Sequence, residues 1–172
     1  GFSSGPRVWG MFERMNPGPI YKLVNLDGGF FPWPEDPAER EKRQKIREAT
    51  YQAQLEWDIN TKKALAKMLV PPGSPADLLD WVNYFQEYPS DLLVNSYYYI
   101  DAENANEPVG WTYPKLCFYA NPNLNMDKVN WIYPNNTTYT FPGGGHVIQW
   151  VFHEEINPII WDFVKEKPGI DN

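Results

Sequence analysis

Residues 1–6 read GFSSGP and contain the pattern G-x-S-x-G, with Ser3 at its centre. Where this pattern is functional, its serine lies on a sharp turn between a buried strand and a helix, with the hydroxyl group exposed. The turn is strained, and the flanking glycines leave room close to the serine. The motif alone has low specificity, so its interpretation depends on which side chains the rest of the chain can bring to Ser3.

The first apolar run after the motif predicts a buried strand. Residues 20–26 (IYKLVNL) are partly β-branched and lie between an Asn-Pro-Gly-Pro turn and an Asp-Gly-Gly turn. A short apolar run bounded by Gly and Pro favours a strand over a helix. Residues 7–15, before that turn, are predicted to form a short helix. Asp27 therefore follows the carboxyl end of a strand.

Residues 32–110 are polar and helical in character, which predicts a separate helical insertion. Asp36 is a suitable N-cap with Pro37 in the first helical position, and the helix is predicted to extend to Met68. An unbroken helix of that length exceeds the usual range, so we expect an interruption near residues 58–61.

Two apolar stripes at helical spacing predict which faces of this insertion are buried. The stripe on the first helix consists of Ile46, Ala49, Ala53 and Trp57. A second helix is predicted over residues 74–88, and its inner face consists of Leu78, Leu79, Val82 and Phe85.

The last part of the chain, residues 111–172, alternates strands and helices. We predict strands over residues 115–120 and 137–141, and helices over residues 127–132 and 151–167. This alternation is typical of parallel βαβ units in an α/β sheet. Functional side chains in such sheets collect at the carboxyl ends of the strands.

Three candidate catalytic residues occur in the chain order serine, acid, histidine. Asp27 follows the first predicted strand, and His146 follows the last strand and three glycines. A serine hydroxyl is a poor nucleophile at neutral pH unless an imidazole accepts its proton and a carboxylate holds the imidazole tautomer. We therefore predict a triad of Ser3, His146 and Asp27, with the backbone N–H of Ser4 as one oxyanion donor.

Two longer segments carry a family resemblance. Residues 113–132 (YPKLCFYANPNLNMDKVNWI) and 143–164 (GGGHVIQWVFHEEINPIIWDFV) resemble the C-terminal part of α/β-hydrolases of the haloalkane dehalogenase, epoxide hydrolase and Renilla-type luciferase group. The Trp-Pro segment at 32–35 resembles the entry to their helical cap. The resemblance implies the C-terminal half of an α/β-hydrolase, with core at 1–31 and 111–172 and a cap at 32–110.

The resemblance also bears on the identity of the acid, which these proteins place after either of two strands. The commoner position is occupied here by Asn123, which cannot act as a carboxylate. The dehalogenase and luciferase branch uses the earlier strand, where this chain has Asp27. Asp127 is the fallback, although it lies four residues late and is predicted to cap the next helix.

The nucleophile departs from the group, whose members usually have Asp where this chain has Ser3. The resemblance with a serine implies acyl transfer on an ester, lactone or similar carbonyl, and disfavours dehalogenase or epoxide hydrolase activity. The first strands of the fold and the second oxyanion donor would precede residue 1. We therefore expect activity only with an N-terminal half, present as a separate chain or as sequence preceding Gly1.

Further interpretations stay open beside the serine hydrolase, and the disfavoured dehalogenase or epoxide hydrolase-like activity is one of them. A hydrolase-fold chain that has lost catalysis could serve as a structural or binding subunit of a larger assembly. A cofactor-free oxygenase or luciferase on the same scaffold has weaker support.

Aromatic residues suggest the kind of substrate. The chain has 8 Trp, 11 Tyr and 9 Phe in 172 residues, which suits apolar pockets as well as cores. We expect a small apolar or aromatic ester-like substrate, and no cofactor or metal. His153, beside two glutamates, does not form a dependable metal pattern. The candidate pocket residues are Phe30, Trp33, Trp57, Trp81 and Val147.

Composition excludes some classes of partner and leaves the compartment open. A net charge of −7 argues against nucleic acid, since phosphate backbones require basic clusters. No apolar stretch approaches the roughly 20 residues of a membrane span, which predicts a soluble chain. Overlapping sequons at Asn135 and Asn136 would permit glycosylation if the protein is secreted. Cys117, the sole cysteine, is predicted to be a buried strand residue.

Overall fold

The computed structural model describes residues 1–3, 5–16, 18, 20–28, 36–85, 87 and 113–166. The chain divides into two compact units: Gly1–Phe30 with Pro108–Asn172, and Phe31–Glu107. The first unit contains the sheet, and the second contains helices. That the second unit acts as a cap stays a prediction.

The secondary structure alternates in the order expected of an α/β protein. In the described part of the chain, the helices are α1 (Gly5–Met15), α2 (Pro37–Leu55), α3 (Ile59–Ala66), α4 (Ala76–Phe85), α5 (Met126–Ile132), α6 (Ile148–Val151) and α7 (His153–Lys165). The strands described there are β1 (Leu23–Leu26), β2 (Lys115–Tyr119) and β3 (Asn136–Thr140). Short 3₁₀ helices occur at Lys67–Leu69 and Gly145–Val147.

The three strands form a parallel sheet in the order β1-β2-β3. Leu26 pairs with Phe118 on one side and makes a parallel bridge to Phe2 on the other. The residues before Ser3 therefore continue the sheet beyond β1. The predicted α/β class with parallel strands is confirmed, and the carboxyl ends of all strands meet at one edge of the sheet.

Strand β2 is buried along its whole length because both faces of the sheet are covered. One face packs Cys117 and Tyr119 against α5, and the other packs Leu116 and Phe118 against α6 and α7. Strands buried on both faces are typically near-continuous apolar runs, which explains why residues 115–120 could be predicted from the sequence. The predicted burial of Cys117 is also confirmed.

Capping side chains set the helix limits in the second unit. Asp36 accepts a hydrogen bond from the N–H of Ala38 at 2.8 Å, and Pro37 begins α2. Asp58 accepts a hydrogen bond from the N–H of Thr61 at 2.7 Å and is the N-cap of α3. Each carboxylate satisfies an N–H that lacks a partner within its helix. The expected interruption near residues 58–61 is confirmed.

The predicted stripe on α2 is wrong, whereas that on α4 is largely right. None of the residues of α2 is buried, and Ile46 is 59 % exposed. The less exposed side chains lie on a different face and are Arg43, Arg47, Tyr51 and Gln54. Long arginine stems cover apolar surface while their charged ends reach water, and this placement does not follow from apolar periodicity. On α4, Leu78 and Val82 are buried, Leu79 is partly buried, and the side chain of Phe85 lies outside the described residues.

None of the helices in the described ranges is both long and apolar enough to cross a membrane.

Cys117 provides a test of the buried central strand. Its side chain is fully buried, and burial raises the pKa of its thiol to about 12. Because the thiolate is the reactive species, we expect iodoacetamide at pH 8 to alkylate the native chain at least ~100-fold more slowly than the urea-unfolded chain, since access requires opening of β2. Equal rates would contradict the buried position.

Candidate active site

Ser3 lies on a turn between an extended segment and α1. Its N–H donates to the carbonyl of Leu26 at 3.1 Å, and the N–H of Gly5 donates to the carbonyl of Phe2 at 2.8 Å. Its φ is +54°, in the left-handed region that costs a non-glycine residue about 1–2 kcal/mol. This is the strand-turn-helix context that the G-x-S-x-G pattern requires.

Asp27 follows β1 in the same backbone conformation, with a φ of +49°. Its N–H donates to the carbonyl of Phe118 at 2.8 Å, and its Oδ1 accepts from the N–H of Ala120 at 2.9 Å. Both bonds join Asp27 to β2 or the residue just after it. One carboxylate oxygen is thus anchored to the sheet, and the other can engage a second group.

His146 follows a glycine turn that packs tightly against the helices after it. Gly143 and Gly145 have φ values of +89° and +58°, which favour glycine. A Cβ on Gly144 would lie 2.7 Å from the side chain of Ile148 and 2.9 Å from that of Phe152. Three glycines are therefore needed to bring the chain round from β3 into the 3₁₀ turn that carries His146.

Asp27 and His146 are joined by a hydrogen bond of 2.7 Å between Oδ2 and Nδ1. Their side chains are 16 % and 28 % exposed, so the pair is partly shielded from water and remains accessible. Donation from Nδ1 to a carboxylate leaves Nε2 as the acceptor in a neutral imidazole. The ring of Phe2 packs on the imidazole at 4.8 Å between centroids.

The other two positions considered for the acid lie elsewhere. Asn123 and Asp127 are both exposed, and neither occupies the position opposite His146 Nδ1 that Asp27 fills. The prediction that Asp127 caps α5 is wrong, because Asn125 is the N-cap and accepts from the N–H of Lys128 at 3.1 Å. Asp127 lies in the first turn, where a carboxylate is favoured by the helix dipole.

The remaining predicted site residues are distributed over both units. Val147 is buried beside His146, and Trp57 and Trp81 are partly buried residues of the second unit. Ser4, Phe30 and Trp33 lie outside the described residues. Within the described ranges, His, Cys, Asp and Glu side chains form no group of three or more that could hold a metal ion.

The sequence did not predict two residues that lie against His146 or against the turn that carries Asp27. Phe2 lies against His146, and Asn25 is a fully buried polar residue two positions before Asp27. An asparagine within the apolar run LVNL is the one signal in the sequence that could have found it, because a buried amide needs hydrogen-bond partners.

A buried cation lies at the opposite, amino end of β2. Lys115 is 1 % exposed, and its Nζ donates to the carbonyls of Tyr113 at 2.9 Å and Pro134 at 2.7 Å. Burial lowers its pKa to about 8, an effect that Glu13 partly opposes. Both carbonyl partners belong to turns next to the strands, so this lysine has a structural explanation apart from the candidate site.

Solved structures resemble the chain, whereas the sequence matches no protein-family model and no curated protein. An esterase from Exiguobacterium antarcticum superposes with a TM-score of 0.69 at 16 % identity, over 96 % of this chain and 65 % of that one. The fold is that of the α/β-hydrolases. MenH from S. aureus (TM-score 0.63, 18 % identity, 96 % and 66 %) and a hydrolase from Oleispira antarctica (0.63, 15 %, 96 % and 64 %) share this α/β-hydrolase fold.

The chain matches only part of each of these solved structures. The chain spans about two thirds of the length of each of these proteins, at 65 %, 66 % and 64 %. Identities of 15–18 % relate this chain to α/β-hydrolases by fold alone, and a shared fold does not determine the reaction.

A substitution at Gly28, the residue after Asp27, tests how closely this turn packs on the turn that carries Ser3. A Cβ there would lie closest to Asn25 Oδ1, and 2.8 Å from both the carbonyl oxygen of Ser3 and the ring of Pro6. We expect Gly28→Ala to lower the free energy of unfolding by about 1–3 kcal/mol through overpacking, measured by urea denaturation. Gly5→Ala is the matched control, because nothing lies within 4 Å of its Cβ. Equal losses in both variants would contradict the close approach.

Proposed function

We propose that this chain carries the catalytic triad of a serine hydrolase acting on an ester, lactone or similar carbonyl. One observation carries the proposal, namely the 2.7 Å bond from His146 Nδ1 to Asp27 Oδ2 at the sheet edge where Ser3 occupies a left-handed turn. A histidine oriented by a carboxylate, at the same sheet edge as a serine on a strained turn, is the arrangement that can activate a hydroxyl group.

The reaction proceeds in two stages. Ser3 Oγ attacks the carbonyl carbon while His146 Nε2 accepts the hydroxyl proton, and Asp27 stabilises the resulting imidazolium. The oxyanion accepts from the N–H of Ser4. Collapse of the intermediate breaks the ester bond, and His146 protonates the departing alkoxide. Water, deprotonated by His146, then attacks the acyl-enzyme, and Ser3 regains its proton as the acid leaves.

The position of the acid supports a placement within the superfamily. Asp27 follows β1, the strand next to the serine segment, and this is the position expected of the dehalogenase and Renilla-type luciferase branch. Members with an aspartate nucleophile form an alkyl-enzyme ester by displacement at carbon. A serine hydroxyl suits addition to a carbonyl instead, so we propose ester chemistry on the scaffold of that group.

The second unit is proposed to act as a cap that selects an apolar or aromatic acyl or alkyl group. Trp57 and Trp81 supply large apolar surfaces there, and both are partly buried. Aromatic side chains with few polar groups are typical of pockets for apolar ligands. The proposed pocket residues are Phe30, Trp33, Trp57, Trp81 and Val147.

Activity is proposed to require the third of the α/β-hydrolase fold that this chain does not span. Helix α1 supports this, because several large apolar side chains on it are exposed, among them Val8, Trp9, Phe12 and Met15. Exposed apolar patches commonly mark surfaces that another segment covers. We propose that the N-terminal part of the fold packs there and supplies the second oxyanion donor.

The same exposed surface suits the second candidate function, a catalytically inactive structural or binding subunit. The two candidates differ in whether Ser3 is reactive.

Active-site labelling of the full-length protein separates them. We expect a fluorophosphonate probe to label wild type at Ser3, and Ser3→Ala and His146→Gln to abolish labelling because the nucleophile or its base is lost. Labelling is read by intact mass and peptide mapping. Ser74→Ala is the control, since its hydroxyl donates to the carbonyl of Pro71. A folded wild-type protein that takes up no probe would favour the inactive subunit.

The assignment of the acid is tested by two matched substitutions. Asp27→Asn retains the shape of the side chain but presents an amide to His146 Nδ1, which favours the wrong tautomer. We expect kcat for a p-nitrophenyl ester to fall about 10⁴-fold, as for the corresponding change in other triads. Asp127→Asn removes an exposed carboxylate from α5 and should leave kcat unchanged. The reverse ranking would transfer the role to Asp127.

A further inference from the structure

The backbone of Asp27 is held in its left-handed conformation by bonds to the next residue, Gly28. A non-glycine residue at positive φ persists where its surroundings over-determine it. The N–H of Gly28 donates to Asn25 Oδ1 at 2.8 Å, and its carbonyl accepts from Asn25 Nδ2 at 3.3 Å. Asn25 thus binds both polar backbone groups of the residue that follows the acid.

Asn25 is itself fixed from a distant part of the chain. Its side chain is fully buried, and its Nδ2 also donates to the hydroxyl oxygen of Tyr119 at 3.0 Å. Both N–H groups of the amide and its oxygen are therefore engaged, which leaves one orientation that satisfies all of them. Burial raises the pKa of Tyr119 well above its ordinary value, so its hydroxyl remains neutral.

A tyrosine hydroxyl also donates to the Gly28 carbonyl that Asn25 binds. Tyr133 Oη donates to the carbonyl of Gly28 at 3.4 Å. Gly28 in turn packs against the carbonyl of Ser3, with no room for a Cβ between them. The position of Gly28 therefore affects both the acid before it and the serine turn beside it.

We infer that Asn25 is a positioning residue, which acts through Gly28 to hold the Asp27 carboxylate against His146 Nδ1. The inference rests on the proposed function for its kinetic consequence and on the described geometry for its structural one. The side chain of Asn25 acts on the acid through the backbone of Gly28, to which it forms two hydrogen bonds. Asn25 fixes the turn that carries the Asp27 side chain. A displacement of about 1 Å in the position of a catalytic group can lower the reaction rate 10²-fold.

The test compares Asn25→Leu, Asn25→Asp and a core control in the full-length protein. Asn25→Leu removes every bond of the amide and keeps the same number of side-chain heavy atoms with the same branching, whereas Asn25→Asp retains an oxygen that can accept from the N–H of Gly28. The control is Ile156→Val or Ile156→Ala, whichever matches the fall in Tm. Ile156 is fully buried in the cluster on the other face of the sheet.

Two readouts distinguish positioning from a general loss of stability. The first is the split between kcat and KM for a p-nitrophenyl ester. The second is the downfield proton resonance of the His146 Nδ1–H···Asp27 hydrogen bond, assigned by its loss in His146→Gln. We expect Asn25→Leu to lower kcat about 10- to 100-fold with little change in KM, and to shift or broaden that resonance. Asn25→Asp should retain more of the wild-type kcat and of the resonance than Asn25→Leu does, and the Ile156 control should retain kcat and the resonance in full.

An Asn25→Leu variant that keeps both kcat and the resonance, as the Tm-matched Ile156 control does, overturns the inference. The resonance also separates this failure from failure of the proposed function. If wild type neither turns over esters nor labels at Ser3, while the resonance is present and depends on Asn25, the hydrolase proposal fails and the positioning role stands. Should Asn25→Leu not fold, Asn25→Asp decides by the same two readouts.

Discussion

The bond between Asp27 and His146 joins residues 119 positions apart and depends on the parallel register of the sheet. Asp27 is anchored through Phe118 and Ala120, one at the end of β2 and one just beyond it. His146 arrives from the end of β3, which pairs in parallel with β2. A one-residue slip of β1 against β2 would break both anchors and turn every side chain of β1 to the opposite face. The geometry of the candidate site is therefore a property of strand pairing.

Two residues at this edge have left-handed backbones although neither is glycine. Ser3 and Asp27 each follow an extended segment directly, and each turns the chain sharply after it. Such conformations cost about 1–3 kcal/mol each and persist where other interactions offset the strain. Here the offsetting bonds are to the sheet, and for Asp27 also to the turn that Asn25 holds. At this edge of the sheet, the strain lies at the two positions that the sequence motif and strand order had singled out.

Local chemistry accounts for the parts of the fold that could be predicted from sequence. The apolar run of β2, the N-cap at Asp36 and the interruption before α3 depend on neighbouring residues, and the structure confirms them. The order of serine, acid and histidine likewise predicted which side chains share an edge of the sheet, although their catalytic roles stay predictions. The α2 stripe could not be predicted, since arginine stems rather than alanines occupy its less exposed face. The role of Asn25 could not be predicted because its side chain binds the hydroxyl group of Tyr119, 94 residues away.

The ionisable groups near the two ends of β2 differ in how far they are exposed, and this difference decides whether they can meet a substrate. At the amino end, Lys115 is almost fully buried, and two backbone carbonyls occupy its donors. A group so enclosed can stabilise turns but cannot meet a substrate. At the carboxyl end, Asp27 and His146 retain 16 % and 28 % exposure, so the imidazole is oriented and still accessible. A general base needs both its orientation and a path to the proton it accepts, and among the described residues His146 combines them.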